Sequence, residues 1–170
     1  MEKSNVFWKF GICLLSLCAL AKGRTLDRCT LARELDNLNV PRHELPTWVC
    51  IAKYESSFRT HVVGPPNTDG SNDYGIFQIN DRYWCQPSNG KYSSNGCGIN
   101  CDVLLSENIA ASVHCAQIVK NQQGLEAWSV YNPHCRGQLE SVDDCFDSRN
   151  FVGSGGGGFG GMGIGMYGKN

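Results

Sequence analysis

Two carboxylates, Glu55 and Asp73, stand eighteen residues apart in very different sequence surroundings. Glu55 ends the stretch Trp48-Val49-Cys50-Ile51-Ala52-Lys53-Tyr54-Glu55. On a helix, the spacing i, i+3, i+4, i+7 places it on one stripe with Trp48, Ile51 and Ala52. A carboxyl at the end of an apolar stripe is partly desolvated, which disfavours its charged form and raises its pKa. That behaviour suits a general acid. Asp73 sits where the polar turn Asn67-Thr68-Asp69-Gly70-Ser71-Asn72 runs into Tyr74-Gly75-Ile76-Phe77-Gln78-Ile79-Asn80. Its neighbours Asn67, Ser71, Asn72 and Asn80 suit a carboxylate that stays ionised. One carboxyl holding its proton beside one that has lost it is what cleavage of a glycosidic bond needs. The pair alone is a weak signal: a helix-end Glu turned to solvent fits the spacing equally well, and any exported domain holds many Asp–Glu pairs.

The elements that would position this pair can be read from local pattern. Leu31, Ala32 and Leu35 give a helix over Thr25–Leu35, broken by Asn37, Asn39 and Pro41. Pro46 at a first helical position opens the helix that ends at Glu55. Gly64-Pro65-Pro66-Asn67 and Asp69-Gly70-Ser71 are turn chemistry bracketing a small antiparallel sheet around Asp73–Asn80. Period-two alternation puts Asp73, Gly75, Phe77 and Ile79 on one face and Tyr74, Ile76, Gln78 and Asn80 on the other. Asp81–Asn100 has no period and reads as a pinned loop. Ser106-Glu107-Asn108-Ile109 opens a third helix through Val113 and Ala116, and Leu125, Trp128 and Tyr131 suggest a short fourth. Helices flanking one small sheet make the class α+β.

The chain's ends set the compartment. In Met1–Gly23, Lys3 and Lys9 precede an apolar run from Phe10 to Ala21, and small residues at Ala21 and Gly23 suit cleavage after Gly23. This is an export signal, so the expected location is secreted and extracellular, an oxidising setting. Ten of the twenty glycines lie between Gly153 and Gly168; residues 148–170 are therefore expected to be a disordered tail. Between them, 24–147 would be the folded domain. Outside the signal, eight cysteines remain (29, 50, 85, 97, 101, 115, 135 and 145). An even count in an exported domain reads as four disulfides, with the pairing open among 105 arrangements. Cys97 and Cys101 lack a second close Cys or His pair, so zinc is a poor rival. His43, His61, His114 and His134 show no ligand spacing either, and no metal or cofactor is called for. Without residues 1–23 the chain carries 12 Lys and Arg against 15 Asp and Glu, a net of −3. That argues against nucleic acid or an anionic membrane surface as a partner. No Asn-x-Ser/Thr sequon occurs.

Longer motifs sharpen the reading. Cys29-Thr30-Leu31-Ala32-Arg33-Glu34-Leu35, Trp48 through Ser56, Asn67 through Asn80, Arg82-Tyr83-Trp84-Cys85, Ala111-Ser112-Val113-His114-Cys115-Ala116 and Ala127-Trp128 together resemble the C-type (chicken-type) lysozymes, the insect members most. The resemblance covers Arg24 to Cys145. It implies a helical lobe and a small β-sheet lobe with a cleft between them. It implies Glu55 as general acid in an apolar pocket against Trp128, and Asp73 as nucleophile or electrostatic partner. C-type lysozyme is itself the standard case behind both the pKa-tuning rule and the retaining-glycosidase rule, so this mechanism is carried over. Asn67 and Asn80 match positions that orient Asp73, though both could merely cap turns. Tyr83 and Trp84 match the aromatic wall on which sugars stack, though Tyr83 could be a plain surface aromatic. Gln78, Ala127 and Trp128 match cleft-lining positions, and Trp128 would serve core and cleft together. The implied disulfides are Cys29–Cys145, Cys50–Cys135, Cys85–Cys101 and Cys97–Cys115.

The implied activity is hydrolysis of β-1,4 bonds between N-acetylmuramic acid and N-acetylglucosamine in bacterial peptidoglycan, by a monomer. A non-catalytic sugar-binding or regulatory relative on the same scaffold is the alternative, but such relatives typically lose a carboxylate. There are departures from the family pattern. Tyr83 stands where many vertebrate relatives have Trp. Phe58–Asn67 is one residue longer than the reference pattern and Cys115–Trp128 one shorter, leaving Asn121 as a guess for an outer-subsite Asp. Val103 occupies an expected calcium-ligand position among Asp102, Glu107 and Asn108, so no calcium is expected. The acidic balance looks more like digestive members working in a gut lumen than like strongly basic ones.

Overall fold

The structure, a computed structural model, describes residues 23–147. The expected signal (1–23, apart from Gly23) and the expected tail (148–170) lie outside the described residues.

The first helix, α1 (Arg28–Asn37), begins later than its apolar spacing suggests because Asp27 caps it, accepting from the Thr30 N–H at 2.9 Å. Thr25 instead bridges Arg59 in an extended pairing. Leu31, Ala32 and Leu35 are fully buried. After a short 3₁₀ turn at Arg42–Glu44, α2 (Leu45–Ser56) carries Pro46 in its first turn, where a backbone N–H would have no partner. Trp48, Ile51 and Ala52 are buried along one stripe, as the spacing requires. Ser57 and Phe58, both at positive φ, end the helix.

The sheet is smaller than its sequence suggests. Strands β1 (Asp73–Tyr74) and β2 (Ile79–Asn80) pair antiparallel, with Asp73 opposite Asn80 and Tyr74 opposite Ile79. This corrects the alternation expected over Asp73–Asn80. The chain reverses at Gly75–Gln78, closed by Gln78 N–H to Gly75 O at 3.1 Å, so the two-residue period does not run through it. Directly opposed residues of a pair share a face, and Asp73 therefore stands beside Asn80. Gly75 is required here: its φ is 74°, and a Cβ would lie 2.2 Å from Leu104 O.

The segment 81–100 has no helix or strand, only a bridge of Gln86 to Asn100. Helix α3 spans Ala110–Gln123; Asn108 Oδ1 accepts from the Ala110 N–H at 2.9 Å, so Ser106–Asn108 precede the helix. The expected fourth helix is not one element. A 3₁₀ turn covers Leu125–Ala127, Trp128 follows it in extended backbone, and Tyr131–Cys135 forms a separate π turn. Gly124, at φ 77°, ends α3, and Pro133, which has no N–H to give a helix, falls within the π turn.

The core joins the lobes. Trp48 packs edge-on against Phe77 (5.4 Å between centroids) and Trp128 (5.1 Å). Buried Ser56 donates from Oγ to Ile76 O at 2.9 Å, tying the end of α2 to the hairpin turn. Four disulfides close the shell: Cys29–Cys145, Cys50–Cys135, Cys85–Cys101 and Cys97–Cys115. Among the described residues no helix is long and apolar enough to cross a membrane.

Candidate active site

Between α2, the hairpin and the α3–Trp128 segment lies a cleft of about 650 Å³. All nine residues singled out from the sequence line it: Glu55, Asn67, Asp73, Gln78, Asn80, Tyr83, Trp84, Ala127 and Trp128. They come from four separate stretches of chain.

Glu55 reaches the cleft because it ends the buried stripe of α2 just where the helix stops. Among the described residues its carboxyl makes no hydrogen bond. Burial without donors penalises the charged form, and the nearby Asp73 charge adds to the penalty. Together they push its pKa up from 4.5 to about 7. Asp73 has the opposite environment. Its Oδ2 accepts from Asn67 Nδ2 at 3.0 Å, and its Oδ1 from Asn80 Nδ2 at 2.8 Å. Donors to both oxygens stabilise negative charge and fix the carboxylate's plane.

The frame behind Asp73 includes residues that were not read as site residues. Ser71 Oγ accepts from both Asn67 Nδ2 (3.1 Å) and Asn80 Nδ2 (2.9 Å), and donates to Asp69 Oδ1 at 2.6 Å. One hydroxyl thus orients both amides toward Asp73. Asp69 in turn pairs with Arg82 at 2.9 Å; the Ser71 hydroxyl and backbone N–H, with Arg82, hold its carboxyl below its usual value. Behind this, buried Asp81 accepts the Asn72 N–H at 3.0 Å. Asn-x-Asp-Gly-Ser reads locally as a turn, and only its closure against β2 shows that the serine serves two asparagines. The cleft is also lined by Thr68, Ile79, Val119, Gln123 and Ser129, none of which carried a signal in sequence.

The walls differ in rigidity. Trp128 is 4% exposed and donates from Nε1 to Phe77 O at 2.9 Å, so it serves core and cleft at once. Trp84 is buried, whereas Tyr83 is half exposed. Gln78 is held at positive φ, and its amide donates to Val62 O and Gly75 O; its N–H groups brace the hairpin turn and leave only its carbonyl oxygen to the cleft. Asn121 is exposed and is not among the cleft-lining residues.

Comparison with known proteins gives the family. The profile of the C-type lysozyme/alpha-lactalbumin family matches residues 24–145. Lysozyme X of Drosophila melanogaster is 61% identical over 137 residues, covering 80% of this chain and 96% of the relative. Lysozyme 1 of Musca domestica is 58% identical over 141 residues, covering 81% and 99%. Among solved structures, lysozyme from Equus asinus superposes with a TM-score of 0.65 at 36% identity, covering 72% of this chain and 98% of that one. Recombinant canine milk lysozyme gives 0.63 at 39% identity, covering 68% and 92%. A family profile spanning the whole described domain, relatives near 60% identity and the same two-lobed fold place the chain in the C-type lysozyme/alpha-lactalbumin family.

Proposed function

We propose that the protein is a secreted muramidase that hydrolyses β-1,4 bonds between N-acetylmuramic acid and N-acetylglucosamine in peptidoglycan with retention of configuration. The observation that carries this reading is the asymmetry of the two carboxyls: one unbonded and raised to about 7, the other held by two amide donors. Glu55 donates its proton to the leaving glycosidic oxygen. The Asp73 carboxylate meets the positive charge developing at the anomeric carbon, as nucleophile or as electrostatic partner. Glu55, now ionised, then takes a proton from the attacking water, and its starting state is restored; lysozyme is the type case for this two-carboxylate scheme. Asn67 and Asn80 hold Asp73 in position. Tyr83 and Trp84 stack sugar rings, and Ala127, Gln78 and Trp128 line the floor and wall.

The enzyme acts as a monomer, with residues 24–147 as its catalytic domain. Its net charge of −3 once residues 1–23 are removed gives little pull toward anionic walls. That charge balance favours digestion of bacteria, as in a gut lumen, alongside antibacterial defence.

The test is clearing of a peptidoglycan suspension by the processed protein beside Glu55→Gln, from acid to neutral pH. The parent protein should clear the suspension. Glu55→Gln should lose at least about a hundredfold in rate, in the range that general acid catalysis supplies. Binding without clearing by the parent would favour the non-catalytic alternative, and clearing that survives Glu55→Gln would remove Glu55 from the acid's role.

A further inference from the structure

A second concavity of about 250 Å³ opens beside the cleft and shares Asp69 and Ser71 with its wall. Its outer side is formed by Arg82, Lys91 and Tyr92. Tyr92 is 82% exposed, the most exposed large aromatic among the described residues. Lys91 Nζ donates to Gly70 O at 2.8 Å and, among the described residues, forms no ion pair with a carboxylate. Arg82 gives one nitrogen to Asp69, and a guanidinium has five N–H donors in all. Asp81 lies beneath, 2% exposed and bonded to Asn72, so it presents no carboxylate at the surface.

This shelf is held in place. Gln86 Nε2 donates to Lys91 O at 2.9 Å, Lys91 N–H to Asn89 Oδ1 at 3.0 Å, and Ser94 N–H to Arg82 O at 2.9 Å. An exposed aromatic, the Lys91 ammonium and an Arg82 whose charge is shared with Asp69, all beside a sugar cleft, suit a ligand that is anionic and attached to the sugar. The glycan backbone of peptidoglycan is uncharged. Its charges lie on the short peptides amide-linked to the lactyl group of each muramic residue, which carry free carboxylates.

Resting on the muramidase reading above, we infer that the Arg82–Lys91–Tyr92 shelf takes a carboxylate of the stem peptide while the muramic residue occupies the cleft. The shelf makes stem-bearing glycan the preferred substrate over glycan that carries no carboxylate. Because stem and sugar are covalently joined, the second contact forms at high effective concentration.

The experiment titrates soluble tetrasaccharides of alternating N-acetylglucosamine and N-acetylmuramic acid, either bearing stem peptides or with each lactyl carboxyl capped as its methylamide so that no carboxylate remains, into the processed protein carrying Glu55→Gln to prevent turnover. The stem-bearing glycan should bind about twofold to fivefold more tightly, as a partly exposed charge pair provides. The preference should shrink with added salt. Lys91→Gln should bring the two affinities together, and Lys91→Arg should restore the difference. If Lys91 only braces the 67–71 turn, Lys91→Gln will weaken both ligands by the same factor, which overturns the shelf. Equal affinities before mutation, or no binding of either ligand, overturn it too. Hydrolysis by the protein with Glu55 intact is followed separately. Stem preference without hydrolysis of either glycan sinks the muramidase reading and leaves the shelf standing.

Discussion

Glu55 carries a cost that can be measured apart from catalysis. Its folded pKa of about 7 lies above the ordinary 4.5, so between those values the folded state holds more protons than the unfolded one. Stability from this group is therefore full below about 4.5 and is lost as pH rises through about 7. Glu55→Gln keeps the shape and removes the charge. The variant should melt above the parent at pH 8, and the gap should narrow toward zero at pH 4. A melting temperature for Glu55→Gln below the parent's at alkaline pH would contradict the desolvated site. The same titration sets activity: the rate should fall on the alkaline side as Glu55 loses its proton near 7. Asn80 offers a test of the partner carboxylate. Asn80→Ala removes the 2.8 Å donor to Asp73 and one of the two amides on Ser71. Losing a hydrogen bond to a charged group costs about 1.5–3 kcal/mol, so kcat should fall by at least about tenfold, with a smaller change in KM. An unchanged kcat would show that Asp73 is oriented without Asn80.

Among the elements, the junction of α2 and the hairpin decides how the two carboxyls meet. Glu55 is the penultimate residue of α2, and Ser56, the last, is 1% exposed. Its hydroxyl donates to Ile76 O at the turn between β1 and β2. Ser56→Ala would leave that buried carbonyl without its donor, at about 1–3 kcal/mol. Urea unfolding of the variant should show that loss, and kcat should drop because α2 and the hairpin are no longer tied beside the site. Full stability in Ser56→Ala would mean that the Trp48–Phe77–Trp128 packing alone holds the lobes together. α2 was legible in the sequence because its apolar residues repeat with one period over twelve residues. The hairpin was misread because each of its strands is two residues long. An alternation that short cannot be told from a turn, and here the turn inverts which residues share a face. The segment after α3 was misread from three residues: Leu125, Trp128 and Tyr131 keep helical spacing, but Trp128 takes extended backbone between two separate turns.

At the scale of the whole molecule, disulfides join residues up to 116 positions apart. Cys29–Cys145 clamps the last described turn (Asp143–Phe146) onto α1, where Arg33 also donates to Cys145 O at 2.9 Å. The end of the described chain is thus tied back to α1. Truncation after Asp147 should leave the melting temperature and the rate of peptidoglycan clearing within error of the full processed chain. Loss of folding on truncation would show that residues 148–170 belong to the domain.

The sequence by itself determined the chemistry that was available: two carboxyls in unlike settings, a helical stripe ending at Glu55, and eight cysteines outside residues 1–23. Each of these rests on residue type and short spacing, which local physics makes readable. Residue type and short spacing left the rest to tertiary structure. It selected one cysteine pairing out of many, because sulfur atoms pair by distance in space and not by spacing in the chain. It set Asn80 beside Asp73 through the hairpin register and gave Ser71 to two asparagines at once. It also brought Arg82 and Lys91 to one shelf beside the cleft, a juxtaposition that no local period encodes.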